Sequence, residues 1–260
     1  MTGLLYKELK QNKLFLLITL LAPFVMVFFP CIGDIITSDG KSFSDRIVSC
    51  FDTMAESGTL IRVMFMLFGY FIIGMMQCNV LAGDETKKWG YFTASHPKGV
   101  TGQVYMKYVL IFMMCGMLMV SYYFFDALFC QIAFAVTGQE VKMIFQISLI
   151  LFFLQIFLRA VEIPFLIRYG SKKGANIKSV MLLSVLLLGV IYLLFGPLPE
   201  SMEDATDKIF AFIEGLQTGA STPVLNLFLG IFEWVALIGY YISYKFSCKL
   251  YMKGVEQYDK

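Results

Sequence analysis

Long apolar stretches alternate with shorter polar segments along most of the chain. Six of the stretches are long enough for a helix to cross the hydrocarbon core of a bilayer, which takes about 20 residues. We predict spans at residues 14–32, 60–82, 103–126, 143–167, 179–198 and 223–246. The pattern therefore predicts an all-α integral membrane protein with six transmembrane helices in a single transmembrane domain over residues 1–260.

The residues before the first span have the pattern of a helix that lies in the membrane surface. Leu4, Leu5 and Leu9 recur at helical spacing on one side, and three lysines occupy the other. The first span is too long for the core of a signal peptide and lacks a small-residue cleavage site, so we expect it to be retained. We expect Pro23 to kink it.

The segments between the spans carry three further predictions. Apolar character runs from 104 to 136, which exceeds one crossing, so we expect an interfacial or re-entrant piece around 126–136. Residues 33–59 and 168–178 are predicted to be polar loops. Between the fifth and sixth spans, apolar positions around 202–216 predict a short helical segment at the outer surface.

Composition and charge fix the class and the orientation. The chain is 58% hydrophobic and only 15% charged, too apolar for one soluble core of 260 residues. Most of its 21 Lys and Arg residues fall before span 1, between spans 2 and 3, between spans 4 and 5, and after span 6. By the positive-inside rule both termini are predicted to be cytoplasmic, and the outer segments are acidic.

Away from the ends of the predicted spans, three ionisable residues fall inside them, where a charge costs several kcal/mol unless it is paired or hydrated. Arg159 and Glu162 lie three residues apart on one helix face, which predicts a structural ion pair. Glu233 lies near mid-membrane beside Trp234, and we consider both candidates for a translocation path. Glu233 could instead pair with another helix or remain protonated.

Several kinds of chemistry have no support in the sequence. There is no GxxxxGK[ST] phosphate loop, so any ATP must be bound by another chain. The single histidine, His96, is expected to be a solvated loop residue, and the six cysteines show no CxxC spacing, so we predict no metal site and no catalytic residue. Free thiols are favoured over a disulfide, although the sequence leaves a disulfide possible.

The most informative polar stretch is residues 83–102, GDETKKWGYFTASHPKGVTG, on the predicted cytoplasmic side. The acidic pair Asp84-Glu85 favours a helix N-terminus, and Pro97 ends helical character. A helix of about two turns is unstable alone, so we expect it to dock onto the spans, lipid or a partner. An interfacial loop with snorkelling lysines and belt aromatics is the alternative.

This stretch resembles the permease subunits of the type-2 ABC transporter family, exporter type. The resemblance rests on an acidic pair, two lysines, a Trp-Gly turn and a Ser-x-Pro-basic motif, here Asp84, Glu85, Lys87, Lys88, Trp89, Gly90, Ser95, Pro97 and Lys98. The chain departs from the family at His96 and at Lys98-Gly99, where apolar residues and an Arg are more usual.

The resemblance implies that this segment is a cytoplasmic coupling helix that fits a cleft on a separate ATP-binding ABC subunit. The coupling residues would be Asp84, Glu85, Lys87, Lys88, Trp89, Tyr91, Phe92 and Pro97. It further implies that the partner binds ATP and Mg, that this chain holds no cofactor, and that it dimerises with itself or a related permease. We expect a multi-pass protein of the bacterial plasma membrane that contacts lipid and no nucleic acid.

The functional prediction is the permease half of an ATP-driven exporter for amphipathic or hydrophobic cargo, with peptides as the leading class. The many Phe and Met residues would give a central cavity an adaptable apolar lining. The alternatives are a lipid or drug efflux permease, and an accessory membrane subunit or channel that does not transport. A membrane-embedded enzyme is disfavoured because paired acidic or histidine motifs are absent at span depth.

Overall fold

Helices make up almost the whole of the described structure. The computed structural model describes residues 2–37, 42–56, 58–77, 80, 99–195 and 223–256, and this part of the chain contains no β-strand. In chain order its seven helices are α1 (Thr2–Gln11), α2 (Lys13–Thr37), α3 (Phe43–Glu56), α4 (Gly58–Gln77), α5 (Gly99–Thr137), α6 (Phe145–Phe195) and α7 (Pro223–Glu256). The all-α prediction is confirmed for these residues.

Three of the described helices are long and apolar enough to cross a membrane, judged by length and composition. The qualifying stretches, Lys13–Cys31, Thr101–Thr137 and Phe145–Gly170, overlap the first, third and fourth predicted spans. Ile61–Gln77, inside the second predicted span, is a shorter apolar helix. Helices suit this setting because they pair their own backbone groups where water is absent. The fifth and sixth predicted spans fall within α6 and α7, and the count of six crossings stays a prediction.

The helix that contains the third predicted span continues past the predicted end of that span. Instead of a separate interfacial or re-entrant piece at 126–136, α5 continues unbroken to Thr137. Its 39 residues are about 58 Å long, roughly twice the thickness of the hydrocarbon core. The extension is held in place because Asp126, Phe129 and Ala133 are all buried against neighbouring helices.

Two predicted loops also contain helix. Residues 33–59 include α3, which buries Cys50 and Phe51 while exposing Asp45 in its first turn. Residues 168–178 are helical except at Gly170, where α6 breaks with φ 79° and ψ 169°. Only glycine adopts that conformation readily, so Gly170 allows α6 to change direction without an intervening loop.

The described bundle is organised around α5, which packs against each of the other six described helices. Leu110, Met114 and Leu118 on α5 are completely buried. One apolar cluster joins α5 to α2, α3, α4 and the start of α6, and a second joins it to α6 and α7. A displacement of α5 therefore bears on every described helix.

The outward-facing surfaces of the described helices, α5 included, are strongly apolar. Exposed large side chains include Phe24 and Phe29 on α2, Val120 and Phe124 on α5, and Trp234 on α7. A soluble protein rarely exposes so much contiguous apolar surface. These faces fit contact with lipid or with another membrane protein.

Candidate functional site

The predicted coupling residues lie outside the described residues. They are Asp84, Glu85, Lys87, Lys88, Trp89, Tyr91, Phe92 and Pro97. The structure does describe the two chain positions that bracket this segment, Val80 before it and Gly99 at the start of α5 after it. The candidate site is therefore built from the bracketing residues and from the polar groups inside the bundle.

The bracketing residues are connected through a buried lysine. Lys107, two turns into α5, donates from Nζ to the backbone oxygen of Val80 at 3.0 Å. Its Nζ also lies 3.9 Å from Oε2 of Glu8 on α1. Glu8 is 1% exposed, Val80 2% and Lys107 6%. Three chain segments thus meet at one desolvated cation.

A second polar group lies where α4 and α6 face each other. Arg159 forms an ion pair with Glu162 on its own helix and donates to the backbone oxygen of Gly74 on α4. Both charged residues are buried. A Cβ at Gly74 would lie 2.9 Å from Nη2 of Arg159, so a side chain there would push the guanidinium away from the Gly74 oxygen.

The same interface contains two buried amides. Gln155 on α6 donates from Nε2 to Oε1 of Gln77 on α4 at 3.2 Å, and the thiol of Cys115 on α5 lies 3.6 Å from that same oxygen. Gln77 is fully buried and Gln155 is 5% exposed. In an apolar bundle this hydrogen bond favours one register of α4 against α6, because shifting either of these two helices would break the bond between the buried amides.

A third polar group connects the first turns of α4 and the C-terminal half of α5 to the residues just before α6. Arg62 forms a buried ion pair with Asp126, and its Nη1 donates to the Lys142 backbone oxygen at 3.3 Å. The other carboxylate oxygen of Asp126 accepts the Ile144 N–H at 2.9 Å. The Arg62 guanidinium also lies 4.9 Å from the ring centre of Phe129. By the predicted orientation this group belongs to the outer side.

Tyrosine and serine hydroxyls link α7 to α5 and α6. The Tyr108 hydroxyl on α5 lies 2.7 Å from the hydroxyls of both Ser243 and Ser247, and Tyr240 donates to the Tyr108 backbone oxygen at 2.7 Å. Ser243 also donates to the backbone oxygen of Ala160 on α6. The serines lie four residues apart, hence on one face of α7. These bonds fix which face of α7 turns inward.

Glu233 and Trp234 are adjacent in sequence but point in different directions from α7. Trp234 is 68% exposed, Glu233 is partly exposed, and Ala236 is completely buried against α5 and α6. Glu233 lies two helical turns before Tyr240, which donates to α5, so it is close to the inward face of α7. Within the described part of the chain, Glu233 takes part in none of the ion pairs. Trp234 therefore faces away from the described bundle, and Glu233 lies at its edge.

Within the described ranges there is no group of three or more His, Cys, Asp or Glu residues that could hold a metal ion. The five described cysteines, Cys31, Cys50, Cys115, Cys130 and Cys248, form no disulfide with one another. Cys248 lies beyond the predicted end of the sixth span, and burial raises the pKa of its thiol. The thiol therefore stays largely protonated at neutral pH and reacts slowly.

Comparison with known families decides the class of this bundle. A family model described as ABC-2 family transporter protein matches residues 47–252, most of the chain. The chain belongs to the ABC-2 family of transporters. No curated protein and no solved structure matches it. ABC-2 membership confirms the resemblance drawn from residues 83–102 and identifies a multi-pass membrane component of a transport system.

The Arg62–Asp126 ion pair and the Gln77–Gln155 hydrogen bond of this ABC-2 permease are not among the sequence predictions. Arg62 and Asp126 were assigned to the ends of separate spans, although opposite charges at the same predicted depth of adjacent spans are a signal for pairing. Gln77 and Gln155 were hidden because uncharged amides hardly change the hydropathy of a span. Polar residues of any kind inside an apolar span are the pattern that would have found them.

Proposed function

We propose that the chain is the permease half of an ATP-driven exporter, which forms a dimeric translocation path with a second permease and is powered by a separate ATP-binding subunit. The observation that carries this proposal is the ABC-2 family match over residues 47–252. Transporters of the ABC class use ATP, and the sequence contains no phosphate-binding loop of its own. ATP and Mg would accordingly be bound by the partner.

The proposed contact with the ATP-binding subunit is the segment of residues 83–102. Its charged start and its aromatic residues Trp89, Tyr91 and Phe92 are suited to docking in a cleft, because aromatic side chains supply much of the binding free energy of protein interfaces. The segment joins α4 to α5, and α5 contacts all the other described helices. A partner that moves this segment would thus act on the whole bundle.

The proposed translocation path runs along the outer edge of α7. Glu233 is partly exposed there, and a carboxylate that faces lipid would be costly. A hydrated path between two permeases removes that cost, and Trp234 beside it offers a large amphipathic surface. The residues that hold α7 in this orientation are Tyr108 and its serine partners on the inner face.

Amphipathic peptides, particularly cationic ones, are the proposed cargo. A carboxylate at mid-membrane would meet a basic side chain, and the acidic outer segments would attract positive cargo outward. The exposed aromatic and aliphatic side chains around Trp234, such as Ile231 and Ile238, would accommodate the apolar face of such a peptide. Lipids and lipophilic drugs are the competing cargo classes.

The test is a reconstitution of the permease with the ATP-binding subunit that co-purifies with it. ATP hydrolysis is measured with a cationic amphipathic helical peptide, a neutral analogue and a lipophilic drug. We expect the cationic peptide to stimulate hydrolysis most, and Glu233→Gln to reduce that stimulation. The matched control is Glu140→Gln, which removes one exposed outer carboxylate before α6, so a larger loss in Glu233→Gln reports the mid-membrane position rather than the outer charge. Stimulation by the drug alone would exclude peptide cargo, and an unchanged peptide response in Glu233→Gln would exclude the role of that carboxylate.

A further inference from the structure

Lys107 occupies a position that is unusual for a lysine in a membrane protein. It lies on a helix long and apolar enough to span the bilayer, yet it is 6% exposed and holds its ammonium group inside the protein. Burying a charge is costly unless a counter-charge and hydrogen bonds compensate it. Here the backbone oxygen of Val80 supplies the hydrogen bond at 3.0 Å, and Glu8 supplies the counter-charge at 3.9 Å.

The Lys107 contact with Val80 closes the base of the segment between α4 and α5. Val80 precedes the residues predicted to dock on the ATP-binding subunit, and Lys107 follows them. This hydrogen bond ties the chain before the segment, at Val80, to the helix after it, at Lys107, so the two ends of the segment are held together. A push on the segment would be passed to α5 rather than absorbed by opening its base.

Apolar packing supports the same junction independently. Val80, Leu110 and Met114 form a buried cluster that also receives Leu9 from α1 and Phe15 from α2. The N-terminal helix therefore contacts the base of the segment twice, once through Glu8 and once through Leu9. The side chain of Asn12 caps this end of α1 by donating to the Glu8 backbone oxygen at 2.9 Å.

We propose that Glu8 and Lys107 are positioning residues that clamp α1, and the chain at Val80 just before residues 83–102, to α5. When ATP-driven movement of the partner displaces residues 83–102, α1 and α5 would then move together with them. This inference rests on the proposed function, since it needs an ATP-binding partner. It assigns to the surface helix α1 a role in force transfer, in addition to the membrane-surface position predicted from its sequence.

A structural role for the pair must be separated from a role in coupling. Removing Glu8 alone leaves the buried Lys107 ammonium with the Val80 oxygen but without this counter-charge, and removing Lys107 alone leaves Glu8 with the partly exposed Lys7, whose Nζ lies 3.9 Å from Oε1. Either change destabilises the fold whatever the role. The double variant Glu8→Gln/Lys107→Met removes both charges and keeps similar side-chain lengths. It is expected to retain folding and partner binding while losing the clamp. Lys10→Met is the matched control, because Lys10 is exposed on the same helix as Glu8.

The experiment compares hydrogen–deuterium exchange of the purified permease–ATPase complex with ATP and with ADP. In the parent and in Lys10→Met, ATP should change exchange in α1 and in the first turns of α5. In the double variant that change should be lost from α1 and α5, while the melting temperature and the amount of co-purified ATP-binding subunit stay close to parental values. ATP-dependent changes of parental size in the double variant, or none in the parent, would overturn the clamp. Absence of any ATP-binding subunit from the parent preparation would instead refute the proposed function.

Discussion

Replacing Asp126 with leucine should be among the most destabilising single substitutions in the described bundle. The side chain lies on α5 with both carboxylate oxygens in use, one paired with Arg62 and the other accepting the Ile144 N–H at 2.9 Å. Asp126→Leu removes the counter-charge of a buried guanidinium and the acceptor of a buried backbone N–H. Arg62 keeps its hydrogen bond to Lys142, which compensates only part of the loss.

The expected loss in free energy of unfolding depends on which buried groups each variant leaves without a partner. Breaking a buried ion pair costs about 3–5 kcal/mol in free energy of unfolding because the remaining charge is uncompensated. Arg62→Leu should also cost about 3–5 kcal/mol, because it leaves the Asp126 carboxylate buried without its counter-charge, although that carboxylate still accepts the Ile144 N–H. In the double variant no charge is stranded, and the unsatisfied Ile144 N–H accounts for about 1–3 kcal/mol. The double variant should therefore be more stable than Asp126→Leu alone.

The assay is reversible unfolding of the purified permease in detergent micelles or bicelles for the parent, the two single variants and the double variant. Glu140→Leu is the control, because it removes an exposed acid a few residues before Ile144 and should change stability by less than about 0.5 kcal/mol. Additive losses, with the double variant as unstable as the sum of the singles, would refute the argument from stranded charge.

Three further predictions can be checked with the same preparations. Gly74→Ala should cost about 1–3 kcal/mol in unfolding free energy, since the new methyl group would crowd Arg159, whereas Gly116→Ala, with open space around it, should be neutral or stabilising. Arg159→Leu and Glu162→Leu should each lower the melting temperature, and the double replacement should restore much of it; a fully stable Arg159→Leu protein would contradict the ion-pair argument. Trp89→Ala should reduce ATP-dependent transport more than it reduces expression, and equal losses would count against docking at this residue.

The periodicity of apolar residues was sufficient to predict the helical class and the centres of the long helices. It failed at their ends. Residues 126–136 are helical because Asp126, Phe129 and Ala133 on this extension are buried in the bundle, and helix resumes at 171–178 after the break at Gly170. Hydropathy identifies the apolar stretch that can cross a bilayer. It does not show where the helix ends, because a helix can continue beyond that stretch.

The candidate site was predicted only in part. Arg159 and Glu162 could be paired from sequence because they lie three residues apart on one helix. Two other ion pairs, Arg62–Asp126 and Glu8–Lys107, join residues that are 64 or more positions apart and lie on separate helices. Helical periodicity carries no information about which helices are neighbours. Family membership, in contrast, was recognisable from the short polar stretch at 83–102, since its motif is local.

The central claim is that this permease does not hydrolyse ATP itself and is worked by another subunit. Its most direct test measures ATP hydrolysis in liposomes that contain the purified chain alone, the co-purified ATP-binding subunit alone, or both. We predict no hydrolysis above empty liposomes for the chain alone, and hydrolysis by the combined proteins that the permease modulates. Sustained ATP turnover by the chain alone, or a partner activity indifferent to the permease, would contradict the claim.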